Sequence, residues 1–331
     1  MEFDFNDTQR EIKSTAHDFL ADRFKAEKVR ELAESETPYD DALWKEMSEL
    51  GWPGIAIPEE HGGQGLGAVE LVILLEEMGY ACAPSPMLSN AYAGLVIEAA
   101  GSDDQRARWL TGIASGDRRG AAEFTNDGGA IVGAAQGAAI LVLAEGDGAR
   151  LVEPGDAHLE RLDLIDSTRA YFRVSAEGGE SLPGDVAPAV DKGIVALSAE
   201  LVGVAQRALD MATNYAKERE QFGRPIGAYQ AVSHRLADML WAVEEARSLT
   251  YYAAWVADAE PESLRLAASM AKARASDAAA QVAHDAIQTF GGIGFTWEHD
   301  IHFLLKRAKV SGQLLGTAGQ HRERVAELAF G

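Results

Sequence analysis

From about residue 188 to residue 329 the chain repeats apolar positions at three- and four-residue spacing with only short breaks, and a pattern that long can fold only as packed helices. Val195, Leu197, Leu201, Val202, Ala205 and Leu209 lead into Arg219, and residues 228–258 repeat the pattern at Val232, Leu236, Met239, Leu240, Val243 and Ala246. Residues 261–289 are alanine-rich, which lets helices approach closely. A Gly291-Gly-Ile-Gly294 break follows, then helical stretches near 297–309 and 318–329. The reading is a C-terminal four-helix bundle over 188–331.

The N-terminal third is also helical. Helices are expected at 6–35 (capped by Asn6 or Asp7), 39–50, 68–79, 86–101 and 103–115, with a glycine- and proline-rich loop over 51–67. After residue 118 the character changes. Short β-type runs at Ala121–Thr125, Ala139–Ala144, Arg150–Glu153 and Ala170–Ser175 alternate with Gly- and Asp-rich turns. A β region of roughly 65 residues is near the lower limit for an independent core and should lean on its neighbours. The expected class is α+β, mostly α. Its domains are 1–118 helical, 119–187 a small reduced β domain, and 188–331 the bundle.

Charge and cysteine content narrow the function. The 331 residues carry 52 acidic and 30 basic side chains, a net charge of −22. That opposes a nucleic-acid partner, which needs a basic face. One cysteine, Cys82, excludes an internal disulfide framework and a multi-cysteine metal site, and points to a reducing cytoplasm. No apolar run reaches the ~18 residues of a membrane helix, and the N-terminus lacks a signal peptide's basic start.

Several phrases carry a resemblance. They are Gly51-Trp-Pro-Gly-Ile with Pro58-Glu-Glu-His-Gly-Gly-Gln-Gly65, Glu76-Glu-Met-Gly79, and Gly203-Val-Ala-Gln-Arg-Ala-Leu-Asp210. Arg219-Glu-Gln-Phe-Gly223 and Gln288-Thr-Phe-Gly-Gly-Ile-Gly294 complete the set. In this order, across nearly the whole chain, they resemble the acyl-CoA dehydrogenase family. The resemblance implies FAD as cofactor, an acyl-CoA thioester as substrate and an electron-transfer flavoprotein as acceptor. It also implies that Arg219, Gln221, Phe222, Tyr229 and Gln230 reach across a subunit interface to the partner's FAD. Gln288, Gly291 and Gly292 would cradle the ADP portion of that cofactor. A guanidinium can hold a pyrophosphate with two hydrogen bonds, and glycine lets backbone approach closely. Gly291-Gly-Ile-Gly294 follows a helical pattern rather than a strand, so it fails as a Rossmann loop. His299 and His302 lack a third ligand and read as packing or surface residues rather than a metal site.

The family's reaction removes a proton alpha to a thioester carbonyl while a hydride passes to flavin N5, and it needs a carboxylate base. Leu315 stands at one family position for that base and Gly193 at the other. Neither can accept a proton. The family's flavin-contacting Thr-Glu-Pro phrase is replaced by Glu123-Phe-Thr-Asn-Asp-Gly-Gly129, and its Trp-containing phrase is missing. These departures resemble the shortened, non-catalytic subunit of actinobacterial heteromeric (α2β2) steroid side-chain acyl-CoA dehydrogenases. That resemblance implies a homologous catalytic partner that binds the acyl-CoA. One alternative is a self-sufficient homomer with Glu200 as a relocated base, Glu200 otherwise reading as a helix-surface carboxylate. Another is a structural or regulatory homologue without chemistry.

Overall fold

A computed structural model describes residues 4–124, 130–145 and 147–331. Helix α1 (Asp7–Arg23) begins at a capping box in which Asn6 Oδ1 accepts from the Gln9 N–H at 2.8 Å and Gln9 Oε1 from the Asn6 N–H at 3.0 Å. The single helix expected over 6–35 is two. Phe24 turns its ring into the core and Lys25 is extended, so the chain breaks before α2 (Ala26–Ala33). Helices α3 (Asp41–Glu49), α4 (Ala68–Tyr80), α5 (Met87–Ala100) and α6 (Asp103–Ser115) follow. Among these, α4 and α5 are apolar on nearly every face because both are buried inside the molecule.

Two small sheets follow. One has the order β1-β3-β4-β7, from Gly120–Ala122, Ile140–Glu145, Gly148–Val152 and Glu180–Ser181; β1 and β3 run parallel. The other has the order β2-β6-β5, from Ala130–Gly133, Tyr171–Ala176 and Ala157–Leu162, all antiparallel. β2 and β5 are not legible in the sequence. Ala157-His-Leu-Glu-Arg-Leu162 is an edge strand whose charged residues face solvent, and its alternation is weak. Thr125, the last residue of the expected first run, lies outside the described residues, as do the other four residues to Gly129. Strand β3 is buried on both faces. Leu141 and Leu143 join a small core with Val132, Phe172 and Val174, while Ile140 and Val142 join the large core built by the helices. This dependence on the neighbouring helices is what a region of this size requires.

The remaining chain forms α7 (Ala187–Glu218), the two-strand hairpin β8 (Glu220–Gln221) and β9 (Arg224–Pro225), α8 (Gln230–Ala259), α9 (Leu264–Phe290), α10 (Ile301–Ser311) and α11 (Ala318–Phe330). Alanine-rich α9 packs along both α7 and α8, and α4 lies against α7. Two glycines explain that last contact. A Cβ at Gly203 would sit 1.9 Å from the Glu76 carbonyl oxygen, and one at Gly79 would sit 2.1 Å from that of Glu200. The Glu76-Glu-Met-Gly79 and Gly203-Val-Ala-Gln phrases are therefore two halves of one helix crossing, where backbone meets backbone. The N-terminus of α4 is closed from outside its own segment: both Asp258 carboxylate oxygens, at the end of α8, accept from the Ala68 N–H at 3.1 and 2.9 Å. Among the described residues no helix is long and apolar enough to cross a membrane.

Candidate functional site

Arg219 ends α7. Its N–H still donates to the Tyr215 carbonyl at 2.8 Å, but its backbone is extended, and its carbonyl accepts from the Ile226 N–H at 2.8 Å. The segment between folds as the β8–β9 hairpin, with Gln221 opposite Arg224. Phe222 and Gly223 form the two-residue turn with φ of +54° and +78°. Two consecutive left-handed residues make a type I′ turn, which suits Gly and costs a Phe about 1 kcal/mol. The turn presents the Phe222 ring to solvent, 94% exposed. Behind it, the Tyr229 hydroxyl donates to the Gln221 carbonyl at 3.0 Å, and the Arg224 guanidinium lies 4.0 Å from the Tyr229 ring centroid. Gln230 is the first residue of α8 and exposed. The Arg219 side chain makes no ion pair or hydrogen bond among the described residues and is exposed.

Gln288, Gly291 and Gly292 sit at the C-terminal end of α9. Gly291 caps the helix with φ +62° and ψ −139°, a conformation open to glycine alone at low cost. A Cβ at Gly291 or Gly292 would meet nothing within 4 Å. The two groups share one end of the bundle. Phe290, between Gln288 and Gly291, packs its ring 4.4 Å from Tyr215, one helical turn before Arg219. Large apolar side chains stand exposed on the same bundle: Trp241 at 72%, Phe295 at 76% and Trp297 at 72%. His299 packs against Phe290 with tilted rings 4.1 Å apart, and His302 lies between Trp297 and Phe303 at 4.8 and 4.3 Å. Burial and the nearby Lys306 push His302 down to about 4.

The two positions at which the family resemblance expects a base contrast with that open surface. Gly193 is buried in α7, and a Cβ there would sit 2.6 Å from Tyr92 Cδ2 and Cε2. Leu315 has φ +55°, with its N–H donating to the Phe124 carbonyl at 2.8 Å and its carbonyl accepting from His321 Nε2–H at 2.8 Å. The Lys272 Nζ reaches the same loop, donating to the carbonyls of Gly312 at 3.1 Å and Gly316 at 3.0 Å and to Ser276 Oγ at 3.1 Å. Burial pushes Lys272 down to about 7 and His321 down to about 4. Leu315 and Tyr92 line a cleft of about 290 Å³ with Glu123, Asp191, Arg265 and Arg324. Burial raises both carboxyls above their ordinary range. The Ala144 N–H at 2.7 Å works against this at Glu123, and Arg324 at 3.7 Å works against it at Asp191.

Glu200 is not on the surface. It is 3% exposed, one oxygen 3.1 Å from Arg307 Nη1 and the other 3.1 Å from Arg169 Nη1. Arg307 also donates to Asp166 Oδ2 at 2.9 Å, and Arg169 to Ser311 Oγ at 2.6 Å, while Thr168 donates to Asp166. Burial opposes the Arg307 charge, but Asp166 and Glu200 together hold its pKa above the ordinary value. Two carboxylates and two guanidinia thus balance in the interior, joining the β region to α7 and α10. One-sided removal from such a cluster costs ~3–5 kcal/mol. Lys272 and Arg307 are charged residues on otherwise apolar helix faces, with Ala268, Ala275 and Ala279 beside the first and Phe303 and Leu304 beside the second. That spacing is a sequence signal for burial. No such signal marks Tyr92 or Phe124.

Family models describe the two helical regions: the acyl-CoA dehydrogenase N-terminal domain matches residues 6–117 and the C-terminal domain matches 189–330. The acyl-CoA dehydrogenase IpdE2 of Mycobacterium tuberculosis is 36% identical over 308 residues, covering 92% of each chain. Among solved structures, a glycine-to-alanine variant of the Tcur3481–Tcur3483 steroid acyl-CoA dehydrogenase superposes with a TM-score of 0.89 at 30% identity, over 97% of both chains. The ChsE4–ChsE5 complex from Mycobacterium tuberculosis gives a TM-score of 0.89 at 25% identity over the full length of both. The chain belongs to the acyl-CoA dehydrogenase family.

Proposed function

We propose that this chain is the non-catalytic subunit of a heteromeric, FAD-dependent acyl-CoA dehydrogenase and completes the cofactor site of a homologous catalytic partner. The observation that carries this reading is the state of Gly193: the space a base would need there is filled by the Tyr92 ring at 2.6 Å, and Leu315 stands at the other position. By contrast, the residues that would touch a neighbour's FAD are presented outward. Arg219 offers an unpaired guanidinium to a pyrophosphate. Phe222 offers an apolar wall, and Gln221, Tyr229 and Gln230 flank it. Gln288, Gly291 and Gly292 leave open room for a nucleotide. Bound FAD supplies the acceptor for the hydride that leaves the acyl chain. This chain's residues hold and shield that cofactor, and the partner's base takes the proton.

The homomeric alternative loses its candidate base, because both Glu200 oxygens are already engaged by guanidinia inside the protein. The exposed aromatic residues around the bundle favour an assembly over a lone chain. The neighbour described as a steroid acyl-CoA dehydrogenase supports a steroid side-chain CoA thioester as substrate, with an electron-transfer flavoprotein receiving the electrons.

Co-expression with the homologous partner and absorbance counting of flavin tests the reading. One FAD per two chains is expected, and Arg219→Ala should lower flavin retention about tenfold or more, the loss of ~1.5–3 kcal/mol for a charge-assisted contact. One FAD per chain, or a yellow and active homomer, overturns it.

A further inference from the structure

We propose that Tyr92 and Phe124 form a plug that closes this subunit's own acyl cavity, so that a thioester can enter only the partner's half of the assembly. This inference rests on the non-catalytic reading and goes beyond the missing base, because it concerns space rather than chemistry. The two rings stack with centroids 5.6 Å apart and planes 24° from parallel. Tyr92 lines the cleft of about 290 Å³, while Phe124 lines a separate, narrow crevice of only about 20 Å³, bounded also by Leu88, Tyr171 and Phe172 and reaching the surface at Gln136. A void of that size holds roughly one water molecule, whereas ligand sites run to ~300–1,000 Å³. The stacked pair stands between them.

The plug is anchored from every side. On α5, Ser89 Oγ donates to the Gly133 carbonyl at 2.6 Å, and the Asn90 amide oxygen accepts from the Gly120 N–H at 3.0 Å, which ties the helix bearing Tyr92 to both sheets. Phe124 presses on Gly133, where a Cβ would approach its ring to 3.0 Å. Its carbonyl accepts from Leu315, whose loop is held by Lys272 and His321. Gly193 is required by the plug, since any side chain there collides with Tyr92. Restoring a carboxylate at Gly193 or Leu315 therefore does not restore an active site.

The test is equilibrium dialysis of a non-reactive thioether analogue of a steroid side-chain acyl-CoA against the free chain and the FAD-loaded complex. The free chain is expected to bind none at concentrations that saturate the complex at one analogue per two chains. Saturable binding to the free chain, or one analogue per chain in a complex that holds one FAD per two chains, overturns the plug and leaves the heteromer standing. One FAD per chain instead overturns the heteromer. A double-mutant cycle gives a second readout that needs no ligand. Gly193→Ala should lower Tm by several degrees in the wild-type background and by less than half as much beside Tyr92→Ala. Equal losses in the two backgrounds overturn the contact on which the plug depends.

Discussion

The two ends of α7 obey opposite rules. Near its start, Gly193 is packed against Tyr92 and the Leu315 loop is held by Lys272, His321 and the Phe124 carbonyl, so nothing there can move cheaply. At its finish, Arg219 and Phe222 stand in solvent on a short hairpin whose strained turn presents the ring outward. A free chain gains nothing from an exposed, strained phenylalanine. In the proposed heteromer the ring would gain a role, because a partner could bury it at assembly. The contrast separates residues packed for this chain's own stability from residues left in solvent, which the proposed function assigns to another chain's site.

Substitutions can break or sharpen that contrast. The largest effect is expected at Glu200→Ala, which leaves Arg169 and Arg307 short of a counter-charge in the interior and should cost ~4 kcal/mol, read as a fall in the denaturant midpoint of the isolated chain. Next is the Leu315 loop: Lys272→Met fills the same volume but strands two carbonyls, for a loss of about 2 kcal/mol by the same measurement. His321 adds an acid-side slope. Its folded pKa of about 4 lies below the ordinary 6.5, so the unfolded chain takes up the proton first as pH falls. Its contribution is whole above pH 6.5 and declines towards pH 4, by about 3 kcal/mol at most, and His321→Gln should flatten the midpoint-versus-pH curve over that range. The smallest effects belong to the exposed end. Phe222→Asn should raise free-chain stability by up to ~1 kcal/mol, since Asn accepts the left-handed turn, and Arg219→Ala should change it by less than ~0.5 kcal/mol. Both should weaken FAD retention in the complex. A large loss of free-chain stability from either would erase the distinction between the two ends.

The sequence made the main elements readable because their signals are local. Helical periodicity marked α4 through α11 to within a few residues, and the Gly-Pro loop after α3 was plain from composition. Errors arose where tertiary packing overrode the local pattern. The first helix splits because Phe24 finds the core by leaving it, and β5 reads poorly because an edge strand keeps charges on its open side. The site divides the same way. Arg219 and Gln288 stand at helix ends and Phe222 and Gly291 in the turns beside them, a placement the breaks in helical pattern make legible, whereas their roles and the base positions of Leu315 and Gly193 rest on the family resemblance.

What the sequence could not carry is distance between remote segments. Glu200 lies seven residues after Gly193 on the same helix, and periodicity alone offered it as a replacement base. Only the fold brings Arg169 and Arg307 from two other segments to occupy both its oxygens. Likewise, the sequence shows only a glycine at position 193, while the fold brings Tyr92, a hundred residues earlier, into the space a side chain there would need. Residue type is written in the chain, but occupancy of a volume depends on which segments meet there, and only the packed structure decides that.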